Sequence, residues 1–125
     1  MDGETCLDCM PLVDERGAAF DLIRSLGLPM GVWRVPSAAD LGDVAPVPLV
    51  MLAVYSGADI DAARSLFKRT PTLVLGIGTG PREGSRALGL GAVGYMHDTL
   101  DAIELRDTIG ESIVRAHWRR SRAAS

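Results

Sequence analysis

The stretch PLVMLAVYSGADIDAARSLFKRTPTLVLGI, residues 48–77, holds two apolar runs separated by an amphipathic segment. PLVMLAVYS (48–56) and TLVLGI (72–77) are nearly continuous in apolar residues, the pattern of strands covered on both faces of a parallel sheet. Between them, in ADIDAARSLFKR (58–69), Ile60, Ala63, Leu66 and Phe67 share one helical stripe. Asp59, Asp61, Arg64 and Lys68 point away from it, and Ser56 with Asp59 has the spacing of a capping box. Strand, helix and strand in that order predict an open parallel α/β sheet.

The alternation extends in both directions. AVGYM (92–96) is a third buried strand, and MGVWRV (30–35) a shorter one ahead of Pro36. A first helix is expected from Val13 to Leu26, with Val13, Phe20, Ile23 and Leu26 inward and Gly27 and Pro29 ending it. Pro81 suits the first turn of a helix in PREGSRALGL (81–90). The last helix is expected from about Leu100 to Trp118, with Leu105, Ile109, Ile113 and Ala116 buried and Asp98 or Thr99 as its cap. Only ETCLDCM (4–10) is left for strand one, and it is a poor strand sequence. The expected fold is α/β: a doubly wound, five-stranded parallel sheet in a three-layer α/β/α arrangement, with functional groups at the carboxyl ends of the strands. One domain would span 1–118, followed by a basic linker or tail over 119–125.

With 125 residues, 47% hydrophobic and 23% charged, the chain has the size and composition of a single soluble domain. No apolar run approaches the roughly 18 residues of a spanning helix, and MDGETCLDCM lacks the basic start and apolar centre of a signal peptide. A cytoplasmic protein without membrane contacts is expected. Arg115, Arg119, Arg120 and Arg122 carry four of the thirteen basic charges, leaving nine against sixteen acids in residues 1–114, a net of −7. Such a body is a poor electrostatic partner for nucleic acid.

Several constellations have both a chemical and a structural reading. LVLGIGTGP (73–81) looks like a cofactor loop, and VLGIGTG resembles the first motif of class I methyltransferases. Gly76-x-Gly78 fails as a dinucleotide fingerprint, because Pro81 stands where the third glycine belongs. The loop is also misplaced for a methyltransferase, with only 45 residues after Gly80 and no acid at the next strand end. A structural turn, or a loop bordering a remodelled pocket, are the remaining readings. Cys6 and Cys9 form a CxxC with no further ligand nearby, so incidental thiols outweigh metal or redox chemistry. His97 adjoins Asp98, but neighbouring strand residues face opposite sides, which favours separate rim positions over a pH-sensitive pair. In RAHWRRSR (115–122), arginines near a helix C-terminus complement its dipole. Trp118 would pack on a strand edge, with a further domain following; direct nucleic-acid contact is the lesser reading.

ALGLGAVGYMHDTLDAIEL (87–105) resembles the end of a response-regulator receiver domain, the CheY-like (flavodoxin-like) fold. There the family has an Ala-Leu pair, Gly-Ala, Gly-Tyr, a strand-ending lysine and an Asp-Thr-like helix start. PLVMLAVYS would be its third strand, and CLDCMPLVDERGAAFDLI (6–23) its first strand and helix. The wording is most similar to receivers that precede a LuxR-type helix-turn-helix.

Receivers phosphorylate an aspartate ending strand three. Two acids after strand one hold Mg²⁺, a Thr or Ser on strand four and a Lys on strand five contact the phosphoryl group, and a strand-five aromatic switches position. Carried over, the phosphoacceptor position falls on Ala53, the hydroxyl on Gly76, the lysine on Asp98 and the aromatic on Tyr95; of the acidic pair only Asp8 remains. The resemblance therefore implies a non-enzymatic pseudo-receiver with no metal or cofactor, a signal-input or homodimerisation domain of an atypical two-component transcription regulator. DNA would be reached only through a domain outside these residues. A small-molecule effector replacing phosphate would lie near Asp8, Cys9, Ala53, Tyr55, Gly76, Gly78, Thr79 and Asp98. The rivals are a ligand-free dimerisation module and a small S-adenosylmethionine- or nucleotide-binding enzyme using the 76–80 loop.

Overall fold

The computed structural model describes residues 9–28, 30–41 and 49–124. Five parallel strands, β1 (Cys9–Val13), β2 (Gly31–Val35), β3 (Val50–Val54), β4 (Thr72–Gly76) and β5 (Gly94–His97), stand in the order β2-β1-β3-β4-β5. The order reverses between β1 and β3, which marks the crevice where a doubly wound sheet presents its functional groups.

Side-chain alternation along the strands feeds two cores. Met10, Leu12, Met51, Leu73, Leu75 and Met96 face Ile23 of helix α1 (Ala18–Arg24) and Leu105 and Ile109 of α5 (Ala102–Ala124). Val50, Leu52, Val54 and Val74 face the other side. There they meet Ile60 of α2 (Gly57–Ala62), Leu66 and Phe67 of α3 (Arg64–Arg69), and Ala87 of α4 (Pro81–Gly89). Every residue of β3 and β4 is buried, as their continuous apolar runs predict for inner strands. β2, at the edge, exposes Trp33 and Arg34.

Several boundaries differ from expectation. Strand one is CMPLV, so Val13 ends a strand rather than opening a helix. Pro11 disguises that strand because it cannot donate to a ladder; it sits just before Leu12 and Val13, the pair that joins β3. The helix expected over 58–69 breaks at Ala63 (φ −96°, ψ 8°) into α2 and α3, yet Ile60, Ala63, Leu66 and Phe67 all remain buried. Ser56 makes no side-chain cap there: the Asp59 amide donates to the Ser56 carbonyl, and Asp59 Oδ2 accepts from Tyr55 N at 2.7 Å. β5 begins at Gly94 and includes His97.

The cap of α5 is Asp101, not Asp98 or Thr99: Asp101 Oδ1 accepts from Glu104 N at 2.9 Å. The helix passes Trp118 and continues to Ala124, through the segment expected as a linker. Along it Leu105, Ile109 and Ala116 are buried as expected, Ser112 joins them, and Ile113 is half-buried. Trp118, expected against a strand edge, is 61% exposed and meets His117 edge-on. No helix among the described residues is long and apolar enough to cross a membrane.

Candidate functional site

Two clusters occupy the carboxyl edge of the sheet, and a tyrosine closes each. The first lies where β1 and β3 end. Asp14 follows β1 and is fully buried. Its Oδ2 accepts from Phe20 N at 2.8 Å and its Oδ1 from Arg16 N at 3.2 Å. Gly17 opens α1 at φ 93° with no side chain to offer, so the Asp14 carboxylate caps the helix from upstream.

Tyr55, just after β3, donates its hydroxyl to Asp14 Oδ1 at 2.5 Å and accepts from Ala19 N at 3.3 Å. Burial alone would raise Asp14, but the bonds from Tyr55 and from the Phe20, Gly17 and Arg16 amides outweigh it and hold the carboxyl below its ordinary range. The phenol moves the other way: burial first, then the adjacent carboxylate, push Tyr55 up to about 12. Arg34 of β2 fastens the connection by donating to the carbonyls of Asp14 and Glu15, both at 2.8 Å. The Arg16 guanidinium lies 4.9 Å from the centre of the Tyr55 ring.

The second cluster lies where β4 and β5 end. The Tyr95 ring lies against Gly84 of α4 and its hydroxyl beside Gly76, such that a Cβ at either glycine would collide with it. The hydroxyl pairs with Thr79 Oγ1 and reaches the Gly80 carbonyl at 3.4 Å. His97 meets the ring edge-on, with centroids 4.9 Å apart. Burial raises the Tyr95 phenol; the Thr79 bond opposes that shift, while the charges of Glu83 and Asp98 add to it.

The glycine loop spends its amides internally. Gly80 N donates to Glu83 Oε1 at 2.8 Å, and that bond leads the causes holding the Glu83 carboxyl below its ordinary value. Gly78, at φ 70°, makes a long contact of 3.4 Å to Asp98 Oδ1. A phosphate cradle needs such amides free and carboxylates absent, whereas here the Gly78 and Gly80 amides face Asp98 and Glu83 and the loop turns around Tyr95.

Of the residues expected at one site, Ala53, Tyr55, Gly76, Gly78, Thr79 and Asp98 do reach this edge, but in two groups. Ala53 pairs with Leu75 and belongs to the core under α1 and α5. The partner of Gly76 is Val54, which shares a core with Val74 and Tyr95. Cys9 opens β1 at its amino end, away from the site. Asp8 and Cys6 lie outside the described residues, and the acids at the carboxyl end of β1 are Asp14 and Glu15. Their signal was present in VDER: an apolar run followed directly by two acids. Arg34, Asp59 and Gly84 carried no comparable signal.

The residues do not fit the Mg²⁺ that the fold family implies. Asp14 has its oxygens committed to Tyr55, Arg16 and Phe20, and the end of β3 offers Ala53 and Val54 in place of a carboxylate. Among the described residues, no three His, Cys, Asp or Glu side chains converge as ligands. A groove of about 170 Å³ remains beside the first cluster, lined in part by Glu15, Pro36, Ser37, Tyr55, Asp59 and Ala62.

No protein-family model and no curated protein matches the chain. Solved structures do. NtrX from Brucella abortus superposes with a TM-score of 0.73 at 17% identity, covering 94% of this chain and 29% of NtrX, so the chain spans under a third of that protein. A structure described as an adenylate cyclase from Rhodopirellula baltica gives 0.70 at 16%, covering 94% and 96%. The signal receiver domain of an HD-domain-containing protein from Pseudomonas fluorescens Pf-5 gives 0.67 at 17%, covering 89% and 98%. At such identities the likeness carries the architecture, and the chain has the CheY-like α/β fold of receiver domains.

Proposed function

We propose that the chain is a phosphorylation-independent input module of a larger regulator, a receiver-type fold locked by its own tyrosines. The observation that carries this reading is the Tyr55–Asp14 hydrogen bond, which occupies the acid that a receiver would use to hold its cation. Phosphoryl transfer to a carboxylate needs a nucleophile, a hard cation and donors to the developing charge. Here the end of β3 is apolar, the β4 position is Gly76 under Tyr95, and the β5 position is the acid Asp98. A carboxylate at that last place repels the phosphoryl group that a lysine would attract. The resemblance of 87–105 to receivers ahead of a helix-turn-helix supports transcription control as the output, through a DNA-binding domain outside these residues.

The test is incubation with acetyl phosphate, or beryllofluoride, and Mg²⁺. Mass, tryptophan fluorescence and sedimentation should stay unchanged. A stoichiometric gain of one phosphoryl group overturns the reading.

The groove beside Glu15 and Asp59 favours a second reading, a small-molecule input. At about 170 Å³ it is smaller than the roughly 300–1,000 Å³ usual for organic ligands, and its two carboxylates favour a small cation over an apolar metabolite. Thermal stabilisation by small amines, abolished in Asp59→Asn, would support it; no shift with any amine at millimolar concentration removes it.

A further inference from the structure

The outward face of α5 carries an apolar stripe that the fold leaves uncovered. Ile103 is 63% exposed, Val114 55% and Trp118 61%, and Gly110 is exposed with open space where a Cβ would stand. At 3.6 residues per turn these four positions fall within about 80° of one another, over about 22 Å of helix, and exposed Asp107 is the one charged residue in the same arc. The opposite face holds Leu105, Ile109 and Ala116 against the sheet. On the flanks, Arg106 and Arg115 donate to the carbonyls of Leu26 and Val93 and so set how the stripe is presented.

The helix is also divided in charge. Residues 101–111 hold Asp101, Glu104, Asp107 and Glu111 with one arginine, whereas 112–124 hold Arg115, Arg119, Arg120 and Arg122 with no acid. Parallel pairing of two such helices would set like charges together; antiparallel pairing sets acidic half against basic half.

We propose that α5 packs against α5 of a second copy, antiparallel, about a two-fold axis crossing the helices at Gly110. A register centred between 110 and 111 sets Ile103 against Trp118 of the other copy and Glu104 against its His117. It also brings Asp101 level with its Arg120. Apolar anchors then close both ends of the contact, and the glycine lets the backbones approach at the crossing. An isologous contact of this kind closes as a dimer and does not propagate. The proposal rests on α5 alone, independently of the strand-end reading.

Sedimentation equilibrium of the full chain tests it. One helix pair is a small interface, so the expected Kd is on the order of 10–100 µM, weakening as salt rises. Ile103→Glu with Trp118→Glu should raise Kd about tenfold or more, with the circular dichroism unchanged because both side chains are exposed. In a background with Cys6→Ser and Cys9→Ser, Gly110→Cys should cross-link to itself under mild oxidation. Ile103→Cys should not, since the two copies of residue 103 stand about 22 Å apart. A monomer at all concentrations up to about 1 mM, or cross-linking through Ile103→Cys without Gly110→Cys, overturns the proposal.

Discussion

The Tyr55 hydroxyl donates to Asp14 Oδ1 at 2.5 Å, joining residues 41 apart in sequence at the ends of β3 and β1. A fully buried carboxylate must be protonated, paired with a charge or supplied with donors. Here the donors are backbone amides and a phenol, all neutral, so the acid stays ionised without a cation. That carboxylate forms part of the frame that starts α1.

Tyr55→Phe should cost about 1–3 kcal/mol, because it removes a donor from a buried charge. The pH profile carries the signature. Asp14 is depressed in the folded state, so its contribution is present above its ordinary value of 3.8 and is lost as pH falls through the folded value. Without the phenol the folded value rises towards 3.8, so less stability is lost in acid and the loss is complete at higher pH. Tyr55 is raised from 10.0 to about 12, so its contribution is present below pH 10.0 and is lost as pH rises towards 12. The variant should lack that alkaline component. Urea unfolding midpoints across both limbs read the two effects, and an unchanged acid limb would count against the bond.

Gly76→Ser restores a hydroxyl where the family carries one, yet its Cβ would meet Thr79 Oγ1 and Tyr95 Oη. It should destabilise the fold by about 1–3 kcal/mol by displacing Tyr95. Combined with Tyr95→Ala, the part of that penalty due to the ring should vanish while the Thr79 contact remains, giving a coupling above about 0.5 kcal/mol in a double-mutant cycle. Additive costs would show that Tyr95 does not fill the space over Gly76.

Ser112→Ala should stabilise the protein. The Ser112 hydroxyl is buried between α5 and β5 with no hydrogen-bond partner, close to where a Cβ on Gly94 would stand. Removing an unsatisfied buried polar group is worth about 1 kcal/mol. Gly94→Ala should do the reverse, since its Cβ would come within 2.7 Å of Ser112 Oγ. Thermal unfolding of the two variants checks both signs together; a loss of stability in Ser112→Ala refutes the account.

Asp101→Ala should cost about 1 kcal/mol through loss of the α5 cap, whereas Thr99→Ala should be near neutral. Chemical denaturation of the pair separates the observed cap from the one expected upstream.

The parallel sheet was legible in residues 48–77, because strands buried on both faces must be apolar throughout and the intervening helix shows its stripe. Ile60, Ala63, Leu66 and Phe67, and later Leu105, Ile109 and Ala116, are buried as periodicity requires. The two residues on which the proposed phosphorylation independence leans most were legible too: Ala53 lies in the apolar end of β3 and Asp98 follows β5. Strand one was not, since Pro11 interrupts its pattern and hides the Val-Asp-Glu that closes it. The tyrosine contacts at the strand ends were decided by tertiary structure alone. Tyr55 meets Asp14, and Tyr95 lies over Gly76 and Gly84, only because parallel pairing sets those strand ends side by side. Local periodicity specifies which face a side chain takes; which hole it fills depends on register between segments distant in sequence.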